Sequence, residues 1–224
     1  MAVNTKNSLE QLPAGVERSL PLWEIASVVT SCLIAEWAVL AFIGRNKAIM
    51  AIPVGLAFVL MLFSHRERGE NLRDIGLRTD NFLACCRLLL IPTALAVILI
   101  LVFGWFASHA YFAPWRWRFV ALPLWALFQQ YVLNGFINRR AQMAFGPGIK
   151  SIVVVAVAFS VLHLPSPLLA LLTLVAGLTW GFIYQRAPNL YALALSHAAV
   201  SLTLAMTVSP YWLNGLRVGF KYFG

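Results

Sequence analysis

Seven polar side chains that could take part in chemistry stand within largely apolar stretches of this sequence. Gln129, Gln130 and Asn134 share one stretch, and Glu36, His163, His197 and Ser201 stand in others. An imidazole exchanges protons near neutral pH, and a carboxylate can also act as a base. Hydroxyls and amides can orient a water or stabilise a developing oxyanion. A carboxamide, however, has no lone pair basic enough to take a proton. If the stretch is helical, Gln130 and Asn134 stack on one face with Gln129 beside them, and Ser201 follows His197 by one turn.

The elements that must carry these groups belong to a bilayer. Of the 224 residues, 61% are hydrophobic and only 11% charged, and the mean hydropathy is +0.79. A soluble domain needs roughly a quarter charged residues. The formal charge of +9 comes in short bursts between apolar runs, which orients a membrane protein and excludes nucleic acid as the partner. Twenty-eight residues without Asp, Glu, Lys or Arg separate Arg87 from Arg116, 20 separate Arg118 from Arg139, 35 separate Lys150 from Arg186, and 30 separate Arg186 from Arg217. A crossing needs about 20. Pro165-Ser166-Pro167 divides the 35-residue run, because prolines stop a helix. The expected fold is an all-α, polytopic transmembrane helix bundle of about seven spans: 22–44, 48–64, 83–108, 118–138, 150–164, 168–185 and 190–208. The fifth and sixth are short, and tilt or a locally thinned bilayer would accommodate them.

Seven crossings place eleven basic residues, among them Lys6, Arg139, Arg140 and Arg186, on one side. Six remain on the other: Arg45, Lys47, Arg116, Arg118, Arg217 and Lys221. The richer side is cytoplasmic. The expected organisation is a polar cytoplasmic tail (1–21) without a signal peptide's apolar region, a bundle (22–208) with its motif-bearing core at about 118–208, and an interfacial segment (209–224). The expected setting is a bacterial inner membrane with the N-terminus cytoplasmic. Trp115, Trp117, Tyr211 and Trp212 mark the opposite interface. Cys32, Cys85 and Cys86 are read as packing residues, and His65 and His109, at segment ends, as solvated.

Depth relates the polar groups to one another. Gln130 is nine residues from Arg139, His197 eleven from Arg186 and His163 thirteen from Lys150, all about 14 to 20 Å from the cytoplasmic charges. Glu36 reaches a similar level. Such a plane suits a wet cavity, although amides and imidazoles also serve as plain hydrogen-bonding links between membrane helices.

The spacing resembles the CPBP (Abi) family of CAAX-processing and bacteriocin-processing intramembrane endopeptidases. That family carries Glu-Glu-x-x-x-Arg, then Phe-x-x-x-His, then His-x-x-x-Asn or a similar polar residue. Here the motifs read Gln129-Gln130-Tyr131-Val132-Leu133-Asn134, Phe159-Ser160-Val161-Leu162-His163 and His197-Ala198-Ala199-Val200-Ser201. Asp74-Ile75-Gly76-Leu77-Arg78 and the stretch from Gly177 to Leu190 also resemble the family. The resemblance implies a water activated at Gln129 with help from His163, and an oxyanion held by His197 and Ser201. Gln130 and Asn134 stand where the second Glu and the Arg would be.

The departure is chemical. No Asp or Glu occurs after Asp80, so the motif-bearing half has no carboxylate. Replacing Glu, Glu and Arg together leaves no orphaned ion in the bilayer. The base would then be an imidazole, or Glu36 from the first span. Three readings follow: an endopeptidase of divergent mechanism acting on a membrane-embedded or lipid-anchored peptide or protein; an inactive pseudo-protease that binds such a peptide or a partner membrane subunit; and a small transporter or structural subunit, against which stands the lack of inverted repeats. No cofactor is expected. Two histidines with amides and a serine make a poor zinc set.

Overall fold

The computed structural model describes residues 14–43, 47–107, 109, 112–115 and 117–224. The first thirteen residues of the expected tail, with Lys6, and also Arg45 and Arg116 lie outside the described residues. All regular structure among the described residues is helical. Helix α1 covers residues 14–42 as α-helical Ala14–Leu33, a π-helical stretch Ile34–Val39 and α-helical Leu40–Phe42. Helices α2 (Lys47–Glu67) and α3 (Phe82–Ala107) follow. Helix α4 covers residues 122–145 as Leu122–Gln130, a π-helical stretch Tyr131–Asn138 and Arg139–Phe145. Then come α5 (Ile149–Val161), α6 (Pro167–Arg186), α7 (Leu190–Thr207) and the single turn α8 (Pro210–Leu213).

Six of the described helices are long and apolar enough to cross a membrane, and the chain is an integral membrane protein. The sixth span, expected to be short, has a full 20 residues, while α5 has 13 and reaches only about 20 Å. Leu164 precedes Pro165, and a residue before proline is pushed away from helical torsions. The helix therefore ends at Val161, and His163 sits in the turn beyond it rather than near the helix end. Backbone left irregular within a bundle needs protein partners. The Leu164 carbonyl finds one in the Gly219 N–H, 2.8 Å away.

Burial separates inner from outer helices. Half of the apolar window of α4 and of α7 is buried, against 17% for α3, whose Leu90, Ile91 and Phe106 face outward. The motif-bearing helices thus form the centre of the bundle. Helix α5 packs most extensively on α6, and α3 and α4 both pack on α7. The α5–α6 approach relies on Gly177, where a β-carbon would lie 2.7 Å from the Ala156 α-carbon.

The end of the bundle that carries Arg139 and Arg140 is held by ion pairs. Arg140 has 0% exposure and pairs with Glu24 of α1 at 3.0 Å and Glu70 of the α2–α3 loop at 2.8 Å, with Ser64 Oγ at 2.9 Å. Arg139 also binds Glu70. His65, expected to be solvated, is 6% exposed: the loop folds back over the end of α2, and Nδ1 meets Glu70 at 2.6 Å. Its ring packs against Tyr131 and Phe136. His109 is exposed. Burial would raise the Glu70 carboxyl, but hydrogen bonds from His65, Arg140 and Arg139 outweigh it and hold that group well below the ordinary range.

The segment after Glu70 fastens this end to α7. Gly76, at φ +92°, accepts the Leu190 N–H on its carbonyl at 2.8 Å, and Tyr184 donates its hydroxyl to the Ile75 carbonyl at 2.9 Å. Asn189 caps α7 by accepting from the Ala192 N–H, and its amide reaches the Arg78 carbonyl at 2.7 Å. The Asp74 to Arg78 stretch therefore sets the entry of the helix that carries His197.

Candidate functional site

The π-helical stretch of α1, the inner half of α4, the turn after α5 and the middle of α7 surround one cavity of about 350 Å³. That is room enough for a small ligand or a short piece of peptide. Glu36, Gln129, His163, His197 and Ser201 all line it. The remaining wall is largely apolar and aromatic, with Trp125, Phe128, Phe159 and Trp180. Cys32, one turn before Glu36, shares the wall, whereas Cys85 is buried in the core. π-helical turns widen a helix locally and are frequent at functional sites. Here one such stretch contains Glu36 and another begins directly after Gln130.

The two imidazoles are held by different means. His163 Nδ1 donates to the Phe159 carbonyl at 2.7 Å, and Phe159 stands edge-on to the ring at 4.7 Å. Phe159 also meets His197 edge-on, at 5.7 Å. Trp180 lies over the His197 ring at 4.5 Å, and its indole N–H is anchored on Ser196 Oγ at 3.1 Å. Ser196 in turn shares a hydrogen bond of 2.7 Å with Thr93. One aromatic side chain thus touches both rings, and a second fixes the tilt of His197.

The three carboxamides expected at the pocket part company. Gln129 is on the cavity wall, while Gln130 and Asn134 are fully buried and turned into the bundle. There they begin a chain of amides that sequence reasoning did not find. Gln130 Nε2 meets His197 Nδ1 at 3.3 Å, and Asn134 Nδ2 donates to Gln130 Oε1 at 2.7 Å. Asn138 Nδ2 donates to Asn134 Oδ1 at 2.9 Å and to the Gly181 carbonyl at 3.2 Å. Gln142 and Gln185 both donate to Asn138 Oδ1 at 3.0 Å. The signal was present as the continued spacing of four residues through 130, 134, 138 and 142.

Glu36 differs from the three ion-paired carboxylates. Glu24, Glu70 and Asp80 each have cationic partners, whereas Glu36 Oε2 is buried without a hydrogen-bond partner. The C-terminal segment, expected along the interface, covers this part of the cavity. Leu216 and Val218 line the wall, and Gly219 touches the Glu36 backbone. Tyr211 and Phe223 remain exposed. Among the described residues no three His, Cys, Asp or Glu side chains stand together as a metal site.

Residues 112–203 match the family described as type II CAAX prenyl endopeptidase Rce1-like. The matched segment contains all of the lining groups named above except Cys32, Glu36 and the C-terminal residues. The matched segment is thus similar to CAAX proteases and belongs to an integral membrane protein. No curated protein and no solved structure matches it.

Proposed function

We propose that this chain is an intramembrane endopeptidase of divergent mechanism, which takes a membrane-embedded or lipid-anchored peptide into the cavity and hydrolyses it there. One observation carries the reading: His163, His197, Gln129 and Ser201, from three separate parts of the chain, line a single cavity together with Glu36, whose Oε2 has no hydrogen-bond partner. The motif that normally brings a glutamate base holds Gln129, which orients a water but cannot deprotonate it. Glu36 takes that task in our reading. The water's proton passes to the Glu36 carboxylate as its oxygen attacks the peptide carbonyl, and the same proton then leaves on the departing amine. Donors from His197 and Ser201 face the oxyanion, and Gln129 and His163 orient the water.

The apolar wall suits a substrate presented from the lipid. The setting in our reading is a bacterial cytoplasmic membrane with a cytoplasmic N-terminus, supported by the eleven-to-six division of basic residues.

A second reading, an inactive relative that binds a membrane peptide or a partner subunit, is favoured by the neutral Gln129, Gln130 and Asn134 set. Peptide cleavage by native protein compared with the Gln129→Glu, Gln130→Glu, Asn134→Arg triple variant separates the two. Cleavage by native protein, lost in His163→Ala, supports the endopeptidase; cleavage by the triple variant alone means a retired enzyme.

A further inference from the structure

We infer that the buried carboxamide chain is a positioning device that holds His197 with its proton on Nε2, the nitrogen not engaged by Gln130. Two backbone groups beside the chain have fixed roles. The Gly181 carbonyl can only accept, so Asn138 must turn Nδ2 towards it, at 3.2 Å. The Gly148 N–H can only donate, so Gln185 must turn Oε1 towards it, at 2.8 Å, and its amino group then faces Asn138 Oδ1 at 3.0 Å. Both anchors demand the same orientation of Asn138. From there each amide orients the next: Asn138 donates to Asn134, Asn134 donates to Gln130, and Gln130 is left with only its amino group for His197 Nδ1.

A neutral imidazole facing an N–H donor must accept, so its own proton sits on Nε2. At His163 the relation is reversed. Its Nδ1 faces a carbonyl and must donate, so Nε2 keeps the lone pair. The two rings at the cavity are thereby given opposite characters, one a donor at Nε2 and the other an acceptor. The chain does this without a single charged group, since Gln130, Asn134 and Asn138 have no exposed surface and no titrating atom. The tautomer does not depend on any activity; its catalytic meaning, an N–H ready for an oxyanion, rests on the endopeptidase reading above.

The test is nitrogen NMR of full-length protein in micelles with ring-labelled histidine, above the ordinary imidazole value of about 6.5. Single substitutions of His65, His109 and His163 assign the signals. For His197 the expected spectrum has Nε2 protonated and Nδ1 as the lone-pair nitrogen. Gln130→Glu supplies an acceptor in place of the donor and should exchange the two signals. Asn138→Leu removes both anchors and should introduce the Nδ1–H form beside the native one. A native spectrum showing the Nδ1–H form, or an even mixture, overturns the inference, and so does a native pattern preserved in folded Gln130→Glu. Should both variants fail to fold, the native spectrum alone decides. The measurement uses no substrate, so absence of cleavage leaves the tautomer intact, and cleavage with a mixed tautomer removes this inference alone.

Discussion

Gly219 lies directly against the backbone of Glu36: a β-carbon there would stand 2.6 Å from the Glu36 carbonyl oxygen and 2.8 Å from its β-carbon. The torsion is also one that glycine adopts freely, at φ +58°. This contact joins the C-terminal segment to the residue that brings a carboxylate to the cavity. Gly219→Val should lift the segment from α1 and open the wall that Leu216 and Val218 form. Cys32, on the same wall, should then react several-fold faster with a maleimide in a Cys85→Ala, Cys86→Ala background. An unchanged labelling rate means that the segment is no cover.

Glu36→Gln keeps the shape of the side chain and removes its basicity. In the proposed reaction it should reduce kcat for peptide cleavage by about 10²- to 10⁴-fold with little change in KM. The thermal midpoint should stay near that of the native protein, since Glu36 Oε2 has no partner to lose. Undiminished cleavage would assign the base to His163 instead.

Glu70→Gln removes a carboxylate shared by Arg139, Arg140 and His65. Arg140 is buried, and breaking one side of a buried ionic cluster costs about 3 kcal/mol. The sign of the pH effect follows from the direction of the shift. The Glu70 carboxyl is held below its unfolded value of about 4.3, so its contribution is fully present above that pH and is lost as pH falls below it. The native protein should therefore exceed the variant in thermal midpoint most clearly near neutrality, and the gap should shrink under acid. A gap that is independent of pH would contradict this account.

Asn189→Ala deletes the cap of α7, worth about 1 kcal/mol, together with the hydrogen bonds to Arg78 and Asn81. Residues 76–81 should lose hydrogen-exchange protection and the thermal midpoint should fall. Asn189→Asp keeps the cap acceptor but cannot donate, so it should restore the helix start without restoring protection of that loop. Full recovery by Asp would show that the loop contacts contribute nothing.

Much of this protein was legible from residue types alone. Uncharged runs bounded by arginines marked the helices, and Pro165 with Pro167 marked the break between α5 and α6. Counting residues from the flanking basic residues, and from the start of the first span for Glu36, set Gln130, His163, His197 and Glu36 at a similar level, because rise per residue is constant along a helix. Their rotation about each helix axis was not legible. In a soluble protein the polar face reveals which side of a helix is inward, but lipid is as apolar as the core, so that contrast vanishes. Only packing turned Gln129 into the cavity and its neighbour Gln130 into the amide chain. Only packing, likewise, brought Glu24 and Glu70 to Arg140 and laid Gly219 on Glu36, since pairings between distant parts of the chain leave no periodic trace along it.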